Sequence, residues 1–334
     1  MSKNKTKAIA LISGGLDSLL AAKVIEAQGV EIQGVVFVTQ FASRDTEGFI
    51  QRVKESSRDA DIDIKVEDMS EEFLEVLARP EHGYGSQVNP CIDCKILMLR
   101  KAKKMMEKEN ADFVITGEVL GERPMSQRKE ALQIIKKRSH LEGYLLRPLS
   151  AKLMEITVPE EKGLIDREKL YSISGRSRQP QFKLAKEYGL KRFFAPGGGC
   201  LLTDPRFAGR LKDLMERKEV TAENIAFLKY GRHFRLKDGT KVIVGRDEKE
   251  NDVLCSLKKN NDIILRLPEK NGPDVILKGI NSDENIKKAA EMVISHSSSK
   301  NSELEIVEYW RDETEKKEIS VSSMAREEIE KMRV

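Results

Sequence analysis

The 334-residue sequence lacks any apolar run close to the ~20 residues needed to span a bilayer. Its start, Met1 to Lys7, is polar and lysine-rich and is followed by only a short apolar run, unlike a signal peptide. No membrane partner and a cytoplasmic location are therefore expected. Two common phosphate motifs are also missing: no Gly-Lys-Ser/Thr ends the first glycine turn, which excludes a Walker A loop, and no third glycine follows in the next helix, which excludes the dinucleotide fingerprint. Aromatic residues are scarce, and the one tryptophan, Trp310, falls in a strand-like run, where core packing is expected rather than base stacking. The four histidines carry no motif, and His82 reads as a satisfied surface residue. What is plentiful suits an intracellular globular enzyme, with 39% hydrophobic residues and length enough for two or three domains.

The organising stretch is Ser13-Gly14-Gly15-Leu16-Asp17-Ser18. It follows the apolar run Ala8 to Ile12, which reads as a buried parallel strand, and it opens an amphipathic helix over Asp17 to Gln28. Adjacent glycines let the backbone approach an anion, two serines add hydroxyls, and the unpaired N–H groups of a first helical turn point at it. Phosphate handling is the chemistry implied.

Strand and helix patterns then alternate: Ile32 to Val38, Thr46 to Ala60, Ile62 to Val66, Ser70 to Ala78, Ile92 to Glu109 and Asp112 to Thr116. This order predicts an α/β fold, a parallel twisted sheet with helices on both faces, whose ligands lie beyond the carboxyl ends of the strands. Short elements continue through Tyr144 to Arg147, helices near Asp166 to Ser172 and Gln179 to Tyr188, and a helical run Phe207 to Arg217. The pattern changes near residue 220, which divides the chain into domains 1–220 and 221–334. The second is a smaller α+β module with an Asp238-Gly239 hairpin signal and a charged terminal helix or frayed tail.

Cys91 and Cys94 sit where a loop becomes a helix, and Cys200 closes the glycine run 197–199. A structural zinc takes four ligands and a redox pair needs two, whereas three thiolates leave one coordination position of a metal centre open. Cys255, far downstream on an apolar helical face, is expected in the core. Net charge is only +4, but Lys95 to Ser150 holds 13 Lys/Arg against 7 Asp/Glu, a basic middle that suits an anionic partner.

The Ser-Gly-Gly-x-Asp-Ser motif resembles the PP-loop of the adenine nucleotide alpha-hydrolase ATPases. With Asn89-Pro90-Cys91-x-x-Cys94, Thr116-Gly117 and the late Cys200, residues 7–216 resemble the PP-loop tRNA thiouridine synthases, in particular the iron-sulfur-dependent type. The resemblance implies an ATP-dependent tRNA sulfurtransferase that adenylates a uridine carbonyl oxygen and replaces it with sulfur. It implies ATP binding by Leu11, Ser13, Gly14, Gly15, Asp17, Ser18, Phe37 and Gly117, with Mg²⁺ near Asp17. It also implies an iron-sulfur cluster, expected as [4Fe–4S], on Cys91, Cys94 and Cys200, these and Asp17 being catalytic. A zinc site or a persulfide relay at the cysteines stays open. Arg123, Gln127, Arg128 and Lys129 form a polar, positive stretch that is either a solvated face or an RNA contact. The expected partners are tRNA and a sulfide or persulfide source, with homodimerisation left open.

The second module resembles the RNA-binding domain of the NFACT proteins, through Val244-Gly245-Arg246-Asp247, Asn251-Asp252, Gly272 to Leu277 and the helix leading to Ser295-His296-Ser297. Two other functions remain: a PP-loop amidotransferase or ligase with structural zinc, and an RNA-binding factor whose ATPase half senses nucleotide.

Overall fold

The computed structural model describes residues 5–194, 200–268, 272–299 and 304–334. The chain forms two compact units, Met1–Asp204 and Pro205–Val334.

The first unit runs β1 (Lys7–Leu11), α1 (Leu16–Glu26), β2 (Glu31–Val38), α2 (Thr46–Arg58), β3 (Ile64–Asp68), α3 (Ser70–Ala78), α4 (Cys91–Lys108), β4 (Phe113–Thr116), α5 (Lys129–Arg138), β5 (Leu145–Leu146), α6 (Val158–Glu161) and α7 (Gln179–Glu187). Its five strands are all parallel, in the order β3-β2-β1-β4-β5. The chain leaves β1 toward β2 and β3, then returns to its other side at β4. Such a reversal opens a crevice at the carboxyl ends of β1 and β4. Helix α1 buries Leu16, Ser18, Leu19, Leu20, Ala21, Ala22, Val24 and Ile25, eight of its 11 residues, so where the sequence suggests an amphipathic helix the structure places one inside the fold. Asp45 caps α2 by accepting from the Gly48 amide at 2.8 Å, and Thr157 with Glu160 forms a capping box on α6. The helix expected over 166–172 is a single 3-10 turn, Arg167–Lys169, because the Asp166 carboxylate takes the Glu168 amide and starts the turn without an apolar face to extend it.

The second unit runs α8 (Pro205–Glu216), α9 (Ala222–Leu228), β6 (Arg232–Arg235), β7 (Lys241–Val244), α10 (Glu248–Leu257), β8 (Ile263–Arg266), β9 (Val275–Lys278), α11 (Asp283–Ser295), β10 (Glu305–Trp310), β11 (Lys317–Val321) and α12 (Arg326–Lys331). Its antiparallel sheet has the order β11-β10-β8-β9-β7-β6. One face packs on Ala289, Ala290, Val293 and Ile294 of α11; the other, with Trp310 of β10, packs on Phe227 and Leu254. Trp310 is in the core, as its strand position predicts. Where the sequence suggests a division near residue 220, the units divide before α8. Arg210 of that helix donates to the carbonyls of Leu228 and Gly231, and its Asp213 pairs with Arg235 of β6 at 2.8 Å. The chain end is tied down: Val334 donates its amide to the His233 carbonyl at 3.0 Å. Among the described residues no helix is long and apolar enough to cross a membrane.

Candidate functional site

The loop after β1 is shaped by two close approaches. Gly14 has φ +75°, and a Cβ on it would stand 2.8 Å from the Phe194 ring. Phe194 donates its amide to the Gly14 carbonyl at 2.9 Å, so the chain at Phe194 lies against the loop. A Cβ on Gly117, just past β4, would fall 2.4 Å from the Asp17 backbone. Glycine there lets β4 meet the first turn of α1, whose Gly15 N-cap offers no side chain to its amides. The Ser18 hydroxyl donates to the Gly15 carbonyl at 2.8 Å and accepts the Ser13 amide at 3.2 Å, bracing the turn from behind. First-turn amides with no side-chain cap, at the sheet's carboxyl edge, make an anion cradle. Leu11 and Phe37 are buried, the first ending β1 and the second next to last in β2.

Facing this cradle are side chains from distant parts of the sequence. Arg178, the residue before α7, donates to Asp17 Oδ2 at 2.9 Å and lies 3.6 Å from Glu122 Oε1. Burial raises the Asp17 pKa, against the pull of Arg178, Gln181 and Arg123. Burial and the neighbouring Asp17 raise that of Glu122. The sequence reading did not single out Arg178. Its signal was a cation at a helix start, where the dipole disfavours positive charge unless an anion is near.

The three cysteines act on one another's charge and so lie within electrostatic reach of one another. Cys91 opens α4 and Cys94 follows one turn later on the same face. Cys200 is brought over by two backbone hydrogen bonds, Leu201 N to Phe41 O at 3.0 Å and Val88 N to Leu202 O at 3.4 Å. The glycine run 197–199 lies outside the described residues. None of the cysteines is in a disulfide. Burial, with Cys200 and Cys91 adding to it, pushes the Cys94 thiol up to about 12, and burial with Cys91 pushes Cys200 up to about 11. Burial raises Cys91 too, while Arg123 and Lys95 pull it down. The Arg123 charge acts on Cys91, Asp17 and Glu122 alike, so the loop after β4 lies within electrostatic reach of the cradle and of the start of α4. Between the cysteines, Asp93 is held by the His82 ring at 2.8 Å and the His82 amide at 3.0 Å, so His82 is a bonded residue.

The neighbouring positive stretch divides in two. Gln127 is buried and accepts the Arg123 amide at 2.9 Å, shaping the turn, whereas Arg123, Arg128 and Lys129 are exposed. Glu118, beside Gly117, is buried against Arg147 at 2.9 Å. Cys255 differs from its expected core role: it is half-buried, and its thiol donates to Asp274 at 3.2 Å. In the second unit Arg232 is partly buried beside Arg246 and Arg333, and burial together with those like charges lowers its pKa.

Residues 3–156 match the model of the family described as thiamine biosynthesis protein (ThiI), and residues 231–333 match that of the NFACT protein RNA binding domain. The chain joins a ThiI-type PP-loop domain to an NFACT-type domain. The ThiI-type match stops before Arg178 and Cys200. Two curated relatives are tRNA-specific 2-thiouridylases MnmA, from Syntrophotalea carbinolica, 32% identical over 34% of this chain and 35% of that protein, and from Helicobacter hepaticus, 28% identical over 33% of each. The chain thus spans about a third of the length of these relatives. Among solved structures, a 4-thiouridine synthetase–RNA complex with bound ATP is 22% identical, with a TM-score of 0.35, over 55% of this chain and 51% of that one.

Proposed function

We propose that this ThiI-type, NFACT-type chain is an ATP-dependent tRNA sulfurtransferase that converts a uridine to a thiouridine in the cytoplasm. The observation that carries the reading is the uncapped first turn of α1 beneath Gly117, at the carboxyl edge of a parallel sheet, in a chain whose residues 3–156 match the ThiI family model and whose Cys91 and Cys94 open α4. In this reading the first-turn amides of α1 and the turn 13–15 hold the pyrophosphate of ATP, and Mg²⁺ and Arg178 balance its charge. A uridine carbonyl oxygen attacks the α-phosphorus and pyrophosphate leaves. The oxygen is thereby turned from a poor leaving group into part of AMP. Hydrosulfide then attacks the ring carbon, and the C–O bond breaks with release of AMP; where a persulfide is the source, a second thiol first attacks its inner sulfur, leaving a disulfide and freeing the hydrosulfide.

The donor set fits an iron-sulfur cluster. Thiols pushed as high as Cys94 and Cys200 are protonated at neutral pH and weak as free nucleophiles, whereas metal coordination deprotonates them outright. Lys95 and Arg123 would offset the negative charge of three thiolates. A [4Fe–4S] cluster on Cys91, Cys94 and Cys200 would supply an iron without a protein ligand at which sulfur can be held. Exposed Arg123, Arg128 and Lys129, with the arginines of the second unit, are the proposed contacts to tRNA phosphates.

The test is anaerobic reconstitution with iron and sulfide, followed by incubation with ATP, sulfide and unmodified tRNA and mass spectrometry of the nucleosides. Thiouridine that depends on ATP and on each of Cys91, Cys94 and Cys200 supports the reading. A colourless protein that binds one zinc and amidates or ligates instead overturns it.

A further inference from the structure

Helix α7 hides one face and leaves the other open. Gln181, Leu184 and Ala185 are buried, the last two in the core cluster that holds most of α1, while Phe182, Lys183, Lys186 and Glu187 are exposed. A lone exposed apolar side chain is ordinary on a protein surface, but Phe182, 41% exposed, is set apart by its neighbours. The Arg178 guanidinium, one turn earlier, lies over its ring at 6.0 Å from the centre, and the half-buried Phe193 ring stands 6.3 Å away at a tilt of 43°. Arg178 also donates to Asp17 at 2.9 Å, so the exposed ring is one side chain removed from the cradle.

The charge around the ring is of one sign. Residues 174–194 carry six Lys or Arg and a single acid, Glu187. Arg178 pairs with Asp17 and Arg192 with Asp59, but among the described residues no ion pair meets Arg176, Lys183, Lys186 or Lys191, all of them exposed. The start of the segment is pinned beside the loop after β4, where Ser174 bridges Leu120 and the Gly175 amide donates to the Leu120 carbonyl at 2.8 Å. An open aromatic face among unpaired cations fits an unpaired nucleic acid strand, whose bases stack on rings while its phosphates meet Lys and Arg. A duplex would offer the ring no free base, and a second copy of the chain would set two positive faces against each other.

We propose that the exposed face of α7 is a docking surface for unpaired RNA, with Phe182 stacking on a splayed base beside the cradle and Lys183 and Lys186 taking the adjoining phosphates. The surface rests on the reading of the chain as a tRNA-modifying enzyme, and it adds an RNA contact in the first unit outside residues 3–156, which match the ThiI family model.

The experiment follows a short fluorescein-labelled oligouridine by anisotropy as the full chain is added. Phe182→Ala and Phe182→Leu should each weaken binding by about tenfold, the loss typical of one stacked base, whereas Phe182→Tyr, which keeps the ring, should bind like the wild type. Phe182→Trp should lose emission when unlabelled strand is added, beyond any change the wild type shows through Trp310 alone. Lys183→Gln with Lys186→Gln should lower the slope of log K against log salt by about 1.4 on a single strand. Circular dichroism controls for folding. If the wild type binds the strand and Phe182→Leu binds it equally tightly, with no added quenching in Phe182→Trp, the ring does not stack and the proposal fails while the tRNA reading stands. If Phe182→Ala instead turns a dimer into a monomer on sedimentation, the face is a contact between copies and the proposal fails. A wild-type chain that binds neither the strand nor tRNA overturns the tRNA reading, and this surface with it.

Discussion

The buried pair of Glu118 and Arg147 offers a sharp test of how the crevice floor is held. Glu118 lies one residue past Gly117, and the two side chains are 3% and 4% exposed, with Arg147 Nε 2.9 Å from Glu118 Oε2. Thr116 donates to the same oxygen at 3.1 Å, and a second guanidinium nitrogen reaches the Leu132 carbonyl at 3.4 Å. Burial works to raise the Glu118 pKa, but Arg147, with Lys95 behind it, outweighs burial and holds the group below its ordinary value. Replacing Arg147 by Met keeps the volume and strands the carboxylate. Breaking one side of a buried pair costs about 3–5 kcal/mol, because the remaining charge is left uncompensated. The sign with pH follows. In the wild type the folded pKa is depressed, so the stability from Glu118 is present above the unfolded value and lost as pH falls through the folded one. In the variant only Lys95 and the Thr116 hydroxyl still oppose burial, which outweighs them, so the folded pKa is raised and the penalty grows as pH rises through it. The gap between the two proteins should therefore be wide near neutrality and narrow in mild acid. Urea unfolding at neutral and mildly acidic pH measures it, and Arg147→Met with Glu118→Leu should recover most of the loss. A gap below about 1 kcal/mol, a typical figure for a surface pair, or one that does not narrow in acid, would refute the account.

Gly117→Ala should destabilise the first unit by about 1–3 kcal/mol, since its new Cβ meets backbone that cannot rotate away, and should weaken ATP analogue binding in the same samples; calorimetry of both checks it. In the metal-free protein, Cys94 and Cys200 should react with iodoacetamide far more slowly than an exposed thiol at neutral pH, and protein stability should fall as pH rises above the ordinary thiol range toward their folded values of about 12 and 11. Fast, equal labelling would show that the thiols are not buried together. Gln at both Arg246 and Arg333 should weaken tRNA binding across sequences and lower the slope of log K against log salt by about 2, or somewhat less on single strands, as measured by filter binding. An unchanged slope would remove these arginines from the RNA surface.

Much of the first unit is legible in the sequence because its signals are local. The apolar run before Ser13, the glycine pair and the existence of α1 each declare themselves within a dozen residues, and so does the placement of Cys91 and Cys94 at a helix start, whereas the burial of α1 on nearly every side does not. Gly117 was assigned by resemblance, and its close approach to Asp17 now supplies a physical reason for glycine. What escaped has no local mark. Strand β11 alternates poorly, with one buried residue among five, so it becomes a strand only by pairing with β10. Helix α8 reads as the end of the first domain by position, and its Arg210 and Asp213 assign it to the second by contacts made to residues that follow it.

The same limit applies at the site. Asp17 is conspicuous in the sequence, but its partner Arg178 lies 161 residues away, and the pair exists only once the segment after β5 has returned to the crevice. Two parallel bridges make that return, Leu120 with Ser174 and Gly15 with Phe194, one beside Glu122 and the other within the loop. The ThiI-type match ends at residue 156, so it holds the cradle, Glu122 and two of the three cysteines, while Arg178, Gln181 and Cys200 arrive with the segment that follows. A phosphate cradle needs only the matched part. Placing the Arg178 guanidinium beside the Asp17 and Glu122 carboxylates and a third thiol near Cys91 and Cys94 needs the segment after it, and for that reason the proposed nucleotide and sulfur chemistries depend on the same stretch of chain.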